Sequence, residues 1–471
     1  MANQKTSDFD KVLGAWDILV IAFGAMIGWG WVVSTGDWIN TGGVIGTALG
    51  FVIGGIMIFF VGLTYAELTA AMPQCGGEHV FSHKAMGPIG SFICTWAIVL
   101  GYVSVACFEA CALPTIITYI YPPFLQGYLY TVAGFDVYAS WLIVASVFTG
   151  DSSNLQGHLF NNDIGVVQSV FQVALVTPFF FIGFDVIPQA AEEINVDLKK
   201  IGKILILSIV LAVCFYGLVV LAVGYELNHS EILKAMVGNG LVTADAMAKA
   251  FHSTIMAKVL IVGGMCGIVT SWNSFLMGGS RAMYSMAESY MIPKTFAKLH
   301  PKYKTPVNSL YLIGLLTVLA PFAGRQMLVW IVNAGNFGCC LAYCMVSASF
   351  LILRKTQPDM PRPYKVKHYK FIGIMACIMS GFMVACYLIP GTGATLGLQE
   401  WLMAGGWVAL GVVFFIQSKA KYGEKFGSLI EIISDEDAAA LQEPTEELDE
   451  KLDLAIESAI ASVLNDKVVK L

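Results

Sequence analysis

Two stretches decide how this chain is read: Gly24-Ala-Met-Ile-Gly28-Trp-Gly30-Trp31 and Pro178-Phe-Phe-Phe-Ile-Gly183-Phe-Asp185-Val-Ile-Pro188. Each lies inside a long apolar run, and each carries residues that break a helix. Glycines in a helix cost about 1 kcal/mol each relative to alanine, and the first stretch holds three, at 24, 28 and 30. The second sets a glycine and an aspartate at mid-run between two prolines. Unwound backbone at membrane depth survives only where it lines a cavity. Close helix packing by small residues is the other reading of the first stretch.

The surroundings of these stretches belong in a membrane. Of 471 residues, 57% are hydrophobic and only 13% charged, against roughly 25% charged in soluble domains. Eleven apolar runs follow one another at 16–33, 44–63, 89–121, 128–148, 166–187, 204–223, 259–276, 307–322, 327–353, 371–389 and 402–416. A spanning helix needs about 20 such residues, so the fold class is an all-α polytopic membrane protein. The N-terminal segment 1–13 is polar and does not read as a cleaved signal. Residues 14–418 form the membrane domain, and 419–471 an acidic tail with 13 acidic and 6 basic residues. In the tail Leu448, Leu452, Ala455, Ile456, Ala459, Val463 and Leu464 recur at helical spacing. That pattern reads as an amphipathic helix docking on a basic loop, or as a marginal one.

Basic residues orient the domain. Lys11, Lys84, Lys199, Lys200, Lys203, Arg281, Lys294, Lys298, Lys302, Lys304, Arg354, Lys355, Arg362, Lys365, Lys367 and Lys370 fall with Lys5 on the N-terminal side. Only Lys234, Lys249, Lys258 and Arg325 fall opposite. Both termini are therefore expected in the cytoplasm. The cysteines lie mostly within apolar runs and show no zinc spacing. No phosphate loop, catalytic triad or nucleic-acid patch is present, so neither an enzyme nor a nucleic-acid binder is expected, and no cofactor.

Several segments carry a family resemblance. GAMIGWGW resembles the first-span signature of the amino acid–polyamine–organocation transporters, and FFFIGFDVIPQAAEEI their sixth span. MPQCGGEHVFSHKAMGP resembles their loop between spans two and three. GSRAMYSMAESYMIPKTFAKLHPKYKTPVNSL resembles their eighth-to-ninth connection, and LRKTQPDMPRPYKV the stretch after span ten. The five occur in the family's order. The resemblance implies an inverted-repeat fold like that of the leucine transporter, with twelve spans and a broken helix in each repeat at the substrate. A first repeat at 14–163, a second at 164–353 and extra spans at 371–416 follow from it.

The resemblance also implies roles. Gly24, Ala25, Met26, Ile27, Gly28 and Gly30 would hold a substrate carboxylate. Phe179, Phe180 and Ile182 would offer carbonyls to its amine beside the Gly183 hinge, with Phe184 as a wall. Trp29 stands where the family has a small residue, which leaves the site's size or the direction of Trp29 to be settled. One span is missing: eleven runs would put the termini on opposite sides, while no lysine or arginine occurs from Ala85 to Leu198. The family's basic loop before span five would fall there. The run 128–148 either crosses, or lies re-entrant with the acidic loop 151–163 external, the arrangement favoured here.

Other polar residues within spans complete the set. Glu109 either takes a coupling proton or is a hydrogen-bonded structural acid. Asp185 contacts a cation or caps a half-helix. Asp136 reads as interfacial. Ser271 and Asn273 line the site or bond between helices. Asp17, Glu67, Glu192, Glu193 and Arg281 form a cytoplasmic gate or permanent surface pairs. The expected function is secondary active transport of amino acids or related amines across the plasma membrane, with proton or sodium coupling or exchange. Its rival is a sensor or interaction protein that keeps the pocket but does not transport. Lipid is expected around the domain, and a partner subunit in the groove of the missing span is left open.

Overall fold

The computed structural model of this chain describes residues 3–5, 7, 9–120, 137–238, 240–323 and 327–432. The first broken run folds as α1 (Ala15–Met26) and the single turn α2 (Gly30–Val33), followed by α3 (Thr35–Gly42). Then come α4 (Val44–Ala71), α5 (Glu78–Ile120) and α6 (Val137–Thr149). The second broken run gives α7 (Val166–Phe180) and α8 (Val186–Gln189). After α9 (Leu198–Glu226), two short helices, α10 (His229–Gly238) and α11 (Val242–Ala250), precede α12 (Thr254–Glu288). The rest is α13 (Val307–Leu319), α14 (Met327–Thr356), α15 (Tyr369–Leu388) and α16 (Leu398–Tyr422).

Eight helical segments are long and apolar enough to cross a membrane, and Val166–Phe180 and Val307–Phe322 are shorter apolar ones. The protein is a multi-pass integral membrane protein, and ten of the eleven apolar runs are matched by these segments. Lipid is as apolar as leucine, so close packing rather than water exclusion holds such helices together. The apolar window of α5 is 94% buried and that of α16 only 22%. The bundle is therefore built around α5, with α16 at its rim.

Contacts between helix ends define two faces. On the first, Glu67 pairs with Arg354, Gly76 N–H donates to Gln189 O, Arg281 pairs with Glu193, and Lys294 N–H donates to Tyr422. The lysines and arginines predicted to be cytoplasmic cluster here, and we call it the basic face. On the opposite face, Val44 N–H donates to His158 O, Asp151 N–H to Tyr225 O, and Asn333 to Glu400.

These faces locate the irregular span. The described part of α6 has 13 residues. Its C-terminal end meets the end of α9, where Thr149 Oγ1 donates to Glu226 Oε1 at 2.5 Å. Between Phe148 and Gly165 the only helical segment is the turn Ser152–Leu155. The acidic loop 151–163 thus lies on the face away from the basic one. Eight long and two shorter apolar segments return the described chain to its starting face, and the end of α6 lies on the face away from it. Residues 121–136, including Asp136 and the start of the 128–148 run, lie outside the described residues. So does the tail helix expected at 448–464.

The described chain divides into Lys11–Leu429 and a terminal unit that holds residues 3–5, 7, 9, 10 and 430–432. Within the terminal unit, Asn3–Lys5 pairs in parallel with Ile430–Ile432, a minor addition to an otherwise helical protein.

Candidate functional site

The first break falls at Ile27–Trp29, between α1 and α2, and the second at Phe181–Asp185, between α7 and α8. Gly183 has φ of 144°, a region that residues with a Cβ rarely adopt. A Cβ there would also lie 2.8 Å from both Ala25 Cβ and Met26 N. The two breaks therefore touch, and glycine lets them.

Side chains from three other helices hold the first break open. Tyr216 of α9 donates its hydroxyl to Met26 O at 2.6 Å, and Ser271 of α12 donates to Ala25 O at 3.2 Å. Glu109 of α5 accepts the Trp29 N–H at 3.1 Å through Oε1. Gly28 is hemmed in, because a Cβ there would overlap Glu109 Oε1 and lie 2.8 Å from Ser271 Oγ. Trp29 is fully buried and its ring fills the space beside Gly264 of α12. The bulky residue therefore points away from the site, and a glycine on the facing helix makes room for it.

A small cavity of about 20 Å³ sits where the breaks meet, room for about one water. It is lined by Ala25, Met26, Gly28, Gly30, Glu109, Phe179, Phe180 and Ile182, all expected from the sequence, and by Val105, Phe108 and Tyr216, which were not. Those three lie on α5 and α9, in runs without the clustered glycines or the Gly-Asp-Pro pattern of the two breaks. Above it opens a vestibule of about 680 Å³, lined in part by Ser34, Asp37, Trp38, Gln172 and Asn333. Phe108 and Phe180 border both spaces, and Trp38 stacks edge-on against Phe180 with centroids 4.6 Å apart. Phe180 is the lid between vestibule and cavity.

The other expected residues lie elsewhere. Gly24 faces Thr270 of α12. Ile27 is buried at the end of α1, where its N–H donates to Phe23 O. The Phe179 carbonyl is engaged by Ile182 N–H at 3.4 Å. Phe184, expected as a pocket wall, instead packs on Tyr65 and Tyr343. Asp185 turns the same way: Oδ1 accepts Gly183 N–H at 2.7 Å and Oδ2 accepts the Tyr343 hydroxyl at 3.0 Å. Asn273 is on the exposed side of α12, because it follows Ser271 by about 200° of helix rotation.

On the basic face, Arg281 donates to both carboxylate oxygens of Glu193, at 2.7 and 3.2 Å, and both side chains are mostly buried. Glu192 accepts Cys75 N–H at 2.8 Å. Glu67 is held by Arg354 at 2.6 Å, Arg362 at 3.1 Å and Val366 N–H at 2.7 Å. This ties α4 to the loop between α14 and α15. Asp17 is not in this network; it accepts Gly14 N–H at 2.8 Å and caps α1. Together, a vestibule opens towards the face opposite the basic one, the cavity is shut, and ion pairs close the basic side.

Two family models, each described as amino acid permease, match this chain over residues 138–414 and 17–150. The two matches overlap within α6. Among known proteins, the branched-chain amino acid permease BcaP of Bacillus subtilis is 25% identical over 89% of this chain and 95% of its own length. The methylthioribose transporter of the same organism is 24% identical over the same shares. Its aspartate-proton symporter is 23% identical, over 81% of this chain and 80% of the relative.

Proposed function

Since this chain belongs to the amino acid permease family, we propose that it moves neutral, apolar amino acids across the plasma membrane by alternating access. It is a transporter of amino acids and not an enzyme. The observation that carries the finer reading is the meeting of the two broken helices at a closed cavity beneath a vestibule. The opening on one side and the ion pairs on the other describe one end state of a two-sided cycle. Glu109 is the one ionisable carboxylate among the cavity-lining residues, and it is bound to Trp29 N–H. Phe108, Phe179, Phe180, Ile182 and Val105 supply an apolar wall. A substrate's carboxylate would compete for the N–H groups at the α1–α2 break, where helix starts leave donors unsatisfied. Its side chain would lie against the phenylalanines.

The resemblance of most of the chain to a branched-chain amino acid permease supports this substrate class. The sensor reading draws no support from relatives named as permeases and transporters. We place the basic face in the cytoplasm, because of its lysines and arginines. Transport would run on an ion gradient or exchange, without ATP.

Radiolabelled leucine uptake into proteoliposomes, with unlabelled competitors, tests the class. Valine and isoleucine should compete, and aspartate, lysine and methylthioribose should not. Competition by aspartate or lysine at equal concentration would contradict the neutral assignment.

A further inference from the structure

On the far side of the α7–α8 joint from the cavity lies a second polar cluster. Glu78 opens α5 and Asp185 closes the joint, and both are fully buried. Among the described residues, neither enters an ion pair; Arg281 of α12 is engaged with Glu193, and Arg354 with Glu67. The groups facing Glu78 are Tyr65 of α4, Cys94 and Tyr102 of α5, Asp185 and Gln189 of the joint, and Cys339 of α14. Tyr343 of α14 adjoins through Asp185. None of these is a cation.

Removing a carboxylate from water without a partner costs several kcal/mol, so two buried side by side need a positive charge with them. The hydrogen bonds tell the two acids apart. Both carboxylate oxygens of Asp185 already receive donors, from Gly183 and Tyr343. Glu78 Oε2 receives the Gln189 amide, whose nitrogen also reaches Tyr102 Oη at 3.4 Å. Glu78 Oε1 has no hydrogen-bond partner, and neither does Gln189 Oε1, in a side chain with no exposure. A divalent metal ion would want six or more oxygens, and no group of three His, Cys, Asp or Glu residues is assembled among the described residues.

We propose that Glu78 carries an exchangeable proton on Oε1, and that opening of the basic side releases it. Asp185 stays ionised, held by its two donors, and Glu78 alternates between acid and carboxylate. The release follows from how α8 is seated. Gly76 N–H donates to Gln189 O, and Gly77 packs against Pro188, so the start of α5 rests on α8. The Arg281–Glu193 clasp lies one helical turn further on. When that clasp opens and α8 swings out, Glu78 loses the Gln189 amide and meets water, and its proton leaves towards the basic face. Proton flow is thereby coupled to substrate movement, which rests on the reading of this chain as a transporter.

Infrared difference spectroscopy tests the protonation without any substrate. At neutral pH the wild type should show a buried carboxylic-acid C=O band that Glu78→Gln removes and Asp185→Asn keeps. Glu78→Asp, which retains an acid, should shift that band. A band unchanged in either Glu78 variant overturns the assignment, and so does its absence from the wild type together with a sodium requirement for stability. In proteoliposomes with an imposed pH gradient, the wild type should accumulate radiolabelled leucine. Glu78→Gln should exchange leucine but lose all accumulation above equilibrium; gradient-driven accumulation by this variant overturns the coupling. A wild type that moves no leucine would refute the transport reading instead, and the infrared result would still judge the proton.

Discussion

Gly28 sits between two oxygens. A Cβ there would overlap Glu109 Oε1 and crowd Ser271, and overpacking of this kind costs about 1–3 kcal/mol before any loss of ligand contact. Gly28→Val should therefore abolish leucine binding, measured by scintillation proximity on detergent-purified protein; undiminished affinity would remove the first break from the site. Glu109 makes a different prediction. Its Oε1 satisfies a buried Trp29 N–H, and leaving such a donor unpaired costs about 1–3 kcal/mol. Glu109→Ala should lower the thermal stability of the detergent-purified protein by an amount of that order, and Glu109→Gln, whose amide oxygen still accepts, should recover most of it. If Glu109→Gln instead binds normally but loses pH-driven accumulation, Glu109 and not Glu78 carries the proton.

Among the elements, the proposed cycle turns on the joints and the clasp. Breaking a buried ion pair by removing one partner costs about 3–5 kcal/mol. Arg281→Ala should move the resting population towards a state open on the basic face. The native Cys75, whose thiol donates to Arg281 O, should then react faster with a membrane-permeant maleimide. On the opposite face, His158 is buried against His229 with ring centroids 4.4 Å apart. Burial first, and then the His229 charge, lower its pKa to about 4. The unfolded loop thus binds more protons than the folded one between that value and the ordinary one of about 6.5. Stability of the loop is full above that window and falls as pH drops through it. Hydrogen exchange at Val44, whose N–H donates to His158 O, should accelerate on acidification through this window, and His158→Phe should remove the effect. The broken helices were legible in the sequence because glycine, aspartate and proline leave a signal that no apolar run needs. The walls supplied by Val105, Phe108 and Tyr216 were not, since a phenylalanine facing a pocket and one facing a neighbouring helix look alike in a sequence. Phe184 and Asp185 were placed at the pocket from their neighbours in the chain; Gly183 turns the backbone between Ile182 and them, which sends them to the other side.

For the whole molecule, the count of apolar runs and the distribution of lysine and arginine already disagreed by one crossing, and the end of α6 beside α9, away from the basic face, bears on that disagreement. A cysteine at Ser152 should be labelled by an impermeant maleimide from outside intact cells; labelling only after permeabilisation would place the acidic loop on the other side. What the sequence left open was whether the site assembles at all. The two breaks, the cavity and the clasp form within the described residues, packed around α5. Transport, rather than binding alone, is the function proposed for this assembly. Counterflow measures it most directly, with proteoliposomes loaded with unlabelled leucine and given a trace of radiolabelled leucine outside. A transient, saturable rise of internal label that Gly28→Val eliminates is the predicted result. Leucine binding in detergent with no counterflow in the same preparation would contradict it.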